Sequence, residues 1–180
     1  MAGPRYVGKR NYELLDAEVG RLVRLMPKFE TSILLLAASV RSDRSWPEHS
    51  LRRTSELIQL LEDAIWDFPD QDRSLVELNL AKAREVLELR NLIVHGRWTL
   101  VDAERGLYEV EKILTRSAAR RALGRDHWSD GEHPALVMPM NAATVARTWR
   151  LTRNVTLYLE ESLDRWEQHF DHTAGPDAGN

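Results

Sequence analysis

The sequence predicts a mostly α fold: a four- or five-helix bundle with a short β-hairpin directly after the fourth helix. Three observations carry this. Apolar residues recur at helical spacing in five separate stretches. The period changes after Gly96, where short apolar runs flank the turn residues Asp102–Gly106. The 180 residues are 43% hydrophobic and 29% charged, which fits one globular domain over 1–172, with 173–180 as a disordered Gly/Pro tail.

Residues 1–10 carry Gly3, Pro4 and Gly8 and are expected to be loose. Asn11 is a candidate cap for a first helix to about Met26, with Leu14, Leu15, Val19, Leu22, Val23 and Met26 inward. Pro27 should end it or open the next, Lys28 to Val40. That second helix is apolar nearly all round at Ile33–Ala38, as buried helices are. A polar turn comes next, with Trp46-Pro47. The third helix spans about Leu51 to Trp66, with Leu57, Ile58, Leu60, Leu61, Ala64 and Ile65 inward. Pro69–Asp72 breaks it, and the fourth helix runs from Asp72 or Arg73 to His95. Trp98, Leu100, Leu107, Tyr108 and Val110 then supply a hairpin over about 97–112. Residues 115–140 read least clearly, with Trp128–Pro134 as loop chemistry. Asn141 should cap a long last helix, about 142–170, with Val145, Trp149, Leu151, Val155, Leu159, Leu163 and Trp166 as its apolar contacts.

Composition excludes several classes. The chain has no cysteine, so disulfides, thiolate zinc sites and cysteine nucleophiles are out, and a reducing compartment suits it. The start, Met-Ala-Gly-Pro-Arg-Tyr, lacks a signal peptide's apolar run, and no run of about 18 apolar residues offers a membrane span. The expected location is the cytoplasm. A formal net charge of −3 gives no global pull toward nucleic acid, so any RNA contact must come from a local basic patch. Walker loops, dinucleotide fingerprints and nucleophile elbows are all lacking.

The chemistry concentrates at the end of the fourth helix, Ala83 to Trp98. Val86, Leu87, Leu89, Ile93 and Val94 give it an apolar surface, and Gly96 stops it. Residues seven or eleven apart share a helix face, so Arg84, Glu88, Asn91 and His95 form one polar stripe. Arg90 lies about 140° round the axis from His95, yet Arg is long enough for both tips to lean into one covered groove. On this geometry one protomer supplies half a site, and two packed across the helix complete it. An imidazole titrates close to physiological pH and can move a proton. A guanidinium stays charged and matches phosphate oxygens.

Arg90-Asn91-x-x-x-His95 resembles the signature of the HEPN superfamily (higher eukaryotes and prokaryotes nucleotide-binding domain): an Arg, usually a polar residue after it, then a His four to six residues beyond the Arg, near the end of a core helix. The resemblance covers the motif and its helical context, roughly the first two-thirds of the chain. It implies a HEPN-like bundle, a homodimer with one composite cleft, and metal-independent endoribonuclease activity without cofactors. It also implies a toxin or antiviral, abortive-infection-like effector held in check by an antitoxin, either nucleotidyltransferase-like or another small protein. Arg90 would bind the scissile phosphate, His95 would carry the proton, and Asn91 would orient the ring or a phosphate oxygen. Glu88 would support His95.

The same spacing recurs at Arg44/His49 and, loosely, Arg121/His127, but the first pair straddles Pro47, where no rigid element holds it. Arg97 and the cluster Arg116, Arg120, Arg121 and Arg125 are candidate RNA-backbone contacts. Trp98 and Trp128 could stack bases, although core packing is the stronger expectation for Trp98. His169 and His172 have metal spacing without further ligands, so no metal is expected. Two other classes stay open. One is a non-catalytic HEPN-like module that binds RNA or a nucleotide. The other is a purely structural helical dimer, with Arg90 paired to Glu85 or Glu88 and His95 bonded to a helix-end carbonyl.

Overall fold

A computed structural model describes the backbone of residues 5–41, 51–114 and 134–173, with side chains from 11 onward and up to 169. Its elements, in chain order, are α1 (Arg5–Val40), α2 (Thr54–Asp63), a single 3-10 turn (Ile65–Asp67), α3 (Asp70–His95), β1 (Arg97–Asp102), β2 (Leu107–Ile113), β3 (Ala135–Met140) and α4 (Ala142–Thr173). The fold is mostly α with a small antiparallel sheet, as the periodicities predict.

The chain groups into two compact units. One comprises Met1–Leu22 with Glu88–Trp149, the other Val23–Leu87 with Arg150–Asn180. The boundaries fall inside α1, α3 and α4, so each long helix contributes one end to each unit.

In the second unit the α1 end buries Met26, Phe29, Ile33, Leu36 and Ala37; α2 buries Leu57, Ile58, Leu60 and Leu61; α3 buries Val76, Leu80, Ala83 and Val86; and α4 buries Val155, Leu159 and Trp166. This apolar side overrides the local rule at Pro27. Local chemistry predicts two helices there, and the structure has one, unbroken through Pro27. Proline removes one i→i−4 bond and crowds the preceding turn. Fully burying Phe29, Ile33 and Leu36 just beyond it, at about 1.5–3 kcal/mol each, outweighs that loss. The third predicted helix also ends sooner than its pattern implies, at Asp63. Arg84 of α3 is held by α2: its guanidinium pairs with Glu62 and donates to Gln59 Oε1 at 2.7 Å.

In the first unit, Leu15, Leu22, Leu92, Ile93, Val110, Met140 and Val145 are buried. α1 begins at Arg5, so Asn11 is interior to the helix and does not cap it. Its side-chain amide instead donates to the carbonyls of Ala103 (3.4 Å) and Glu104 (3.1 Å) in the β1–β2 turn. Leu14 and Val23, assigned inward by periodicity, are exposed. The turn is built as its residues require: the Asp102 carboxylate accepts from the backbone N–H groups of Glu104 and Arg105, each at 3.0 Å, and Gly106 takes φ +58°.

The predicted hairpin gains a third strand. The order is β1-β2-β3, with Trp98 opposite Val110 and Val110 opposite Met138. β3 (Ala135–Met140) lies in the stretch 115–140 that the sequence pattern leaves least readable. Pro139 sits opposite Glu109 on this outer strand, a position that tolerates a missing N–H. Asn141 caps α4, its Oδ1 accepting from the Thr144 backbone N–H at 2.9 Å. The tail 174–180 lies outside the described residues.

Candidate functional site

The site is the C-terminal end of α3, within the first unit. Asp70 and Asp72 occupy this helix's first turn, where their charges complement the helix dipole, and His95 stands in its last turn. Leu92 and Ile93 are almost fully buried and fix which way the last turn faces. Arg90 lies only about 60° from Ile93 round the axis. Its stem is therefore drawn half under, its Nε is buried with no hydrogen-bond partner, and its tip reaches outward. Asn91 is half-buried and His95 exposed.

The tips of all three meet in one chain. Arg90 Nη1 donates to Asn91 Oδ1 at 2.8 Å and stands 3.5 Å from His95 Nε2. The arginine spans the angular gap, as its length allows, within one chain and without the covering surface expected of a second protomer. Among the described residues no carboxylate is within ion-pair distance of Arg90, so the rival pairing with Glu85 or Glu88 is not formed within the chain. Glu88 is exposed on the same helix. Arg84, placed on the same polar stripe by spacing, belongs to the other unit and is committed to Glu62.

Residues 96–98 hold the end of α3 in place. The Gly96 N–H donates to Leu92 O at 2.8 Å, and the Trp98 indole N–H donates to Ile93 O at 3.0 Å. Two of the last carbonyls, which an isolated helix leaves without partners, are thereby bonded. Gly96 is needed for space and not for a left-handed backbone, since Gly106 is the one described residue with positive φ. A Cβ at Gly96 would collide with Leu92 O and with Val110 Cγ1, and would stand 3.3 Å from Glu111 O. The strand therefore passes close over the helix end, one residue after His95.

Trp98 is half-buried and meets Tyr108 edge to face, centroids 5.7 Å apart. Sequence reasoning predicts core packing for Trp98 and misses its bond to the helix. The only signal is its place, three residues past His95. Burial, helped by Tyr12 and the Asp16 carboxylate, raises the Tyr108 phenol above its ordinary value.

Arg97 is exposed at the start of β1, opposite Glu111. Arg116, Arg120, Arg121, Arg125, Trp128 and the pairs Arg44/His49 and Arg121/His127 lie outside the described residues, as does the His172 side chain. Among the described residues no three His, Asp or Glu side chains are grouped as metal ligands would be. No described helix is long and apolar enough to cross a membrane.

Comparison with models of known families, with curated proteins and with solved structures finds no match.

Proposed function

We propose that this chain is a metal-independent endoribonuclease of HEPN type, with Arg90 and His95 as its working pair. The observation that supports this reading is the contact itself. A guanidinium with no carboxylate partner among the described residues is held against an exposed imidazole at a braced helix end. Such a pair suits phosphodiester cleavage by the RNA's own 2′-hydroxyl. His95 takes the 2′-hydroxyl proton as the oxygen attacks phosphorus. The bond to the 5′-oxygen breaks, and that oxygen leaves with a proton from solvent or from an imidazolium. Arg90 stabilises the charge that grows on the phosphoryl oxygens. The products are a 2′,3′-cyclic phosphate, or the 3′-phosphate from its hydrolysis, and a 5′-hydroxyl.

The wider reading rests on the same resemblance. A homodimer would bring two such pairs to one groove. The biological role would be that of a cytoplasmic toxin or antiviral effector neutralised by a small antitoxin. Arg97 and the arginines at 116–125 would hold the RNA backbone.

The test is incubation of the purified protein with a mixed RNA pool in EDTA, reading both end groups. Wild type should release cyclic-phosphate and 5′-hydroxyl ends, and His95→Ala and Arg90→Ala should release neither while keeping helix content. Undiminished cleavage by His95→Ala, or its loss in EDTA, would overturn the proposal.

A further inference from the structure

We infer that Asn91 is a positioning residue that never needs to touch the RNA: its amide oxygen pins Arg90 against His95 and so places the ring proton on Nδ1, leaving Nε2 as the proton-accepting nitrogen. This deepens the ribonuclease reading and rests on it for the catalytic role. The tautomer assignment stands by itself.

The argument is one of donors and acceptors. A guanidinium has five N–H groups and no acceptor. Its Nη1 carries two of them. One is directed to Asn91 Oδ1 at 2.8 Å, and the other has His95 Nε2 within 3.5 Å. Asn91 must present its oxygen here, because its NH2 group would face another donor. For the same reason Nε2 must carry a lone pair, so the neutral ring holds its proton on Nδ1. In water an unconstrained histidine prefers the proton on Nε2, so the contact reverses the ordinary choice. The arrangement also rations the arginine. Nη1 has two acceptors beside it and Nε is buried, which leaves Nη2 as the nitrogen free to meet a phosphate. A two-nitrogen grip on phosphate would require Nη1 to leave His95, and that would uncover the Nε2 lone pair as the substrate arrives.

The experiment is 15N NMR of the imidazole in the intact protein, at a pH where the ring is neutral. His95 is assigned by its loss in His95→Gln. Wild type should show Nδ1 protonated and Nε2 bare. Asn91→Leu should move the population toward the Nε2–H form, and Asn91→Asp, which keeps the acceptor, should restore the wild-type pattern. A wild-type ring already in the Nε2–H form, or no change in Asn91→Leu, would overturn the inference. In the RNA assay Asn91→Leu should lower kcat on the order of 10- to 100-fold with KM little changed, and Asn91→Asp should recover most of it. Wild type with the stated tautomer but no cleavage would overturn the ribonuclease reading and keep the positioning role. Cleavage with the opposite tautomer would do the reverse.

Discussion

Trp98 donates its indole N–H to the main-chain oxygen of Ile93, 3.0 Å away, so the first strand bonds back onto the helical turn that carries His95. Trp98→Phe keeps an aromatic edge for Tyr108 and loses this bond. A buried acceptor left alone costs about 1–3 kcal/mol. We expect a lower urea midpoint of that order and faster amide exchange at His95 and Gly96. An unchanged exchange rate would show that the helix end needs no such brace.

Two glycines should respond in opposite senses. Gly96→Ala forces a methyl group into Leu92 O and Val110 and should cost about 1–3 kcal/mol. Gly20 lies inside α1 where an added methyl group would meet open space, so Gly20→Ala should stabilise by about 0.4–1 kcal/mol. Thermal unfolding of the two variants checks both signs at once.

The turn of the hairpin is held from outside by Asn11. Asn11→Asp replaces a donor with a carboxylate facing two carbonyl oxygens, Ala103 O and Glu104 O. It should destabilise at neutral pH and recover partly in acid, as the carboxylate gains a proton. Asn11→Ala should cost about 0.5–1.5 kcal/mol with no such pH dependence. Chemical denaturation at acid and neutral pH distinguishes the two.

Arg90→Lys keeps the charge but not the planar fork. An ammonium cannot span Asn91, His95 and a phosphate with fixed geometry. Cleavage by this variant should fall nearly as far as in Arg90→Ala, measured as initial rates on one RNA.

Tyr108 makes the folded state sensitive to alkali. Its folded value is raised above the ordinary 10.0, so the native state holds the phenolic proton more tightly than the unfolded chain does. That stability is fully present below pH 10 and is lost as pH climbs through the raised folded value. Tyr108→Phe should flatten the fall in urea midpoint above about pH 10, whereas a parallel fall in both proteins would assign the effect elsewhere.

The fold is legible in the sequence where local pattern and tertiary burial agree. α3 can be read because its apolar spacing, Pro69 just before its start and the stop at Gly96 point the same way, although it begins at Asp70 and not at the expected Asp72 or Arg73. The Asn141 cap and the Asp102–Gly106 turn can be read because each is a local hydrogen-bond device. Pro27 misleads because its local cost is outweighed by the full burial of Phe29, Ile33 and Leu36 just beyond it. Asn11 misleads because its cap chemistry is spent 92 residues away, on Ala103. β3 is hard to see because Ala-Leu-Val-Met-Pro-Met is short and carries a proline. At the site, the residue types and their helix end are readable. Their contact within one chain is only half readable, because the axial angle and the length of an arginine allow it without requiring it.

Pro139 has a consequence for how the sheet could grow. Opposite Glu109, its nitrogen takes the outward position and has no hydrogen to offer another strand. Among the described residues β3 is an edge strand, and its outer side is therefore a poor template for fibre-like stacking. Among the described residues the sheet's other margin is β1, where a visiting peptide would meet the outward main-chain groups of Trp98 and Leu100.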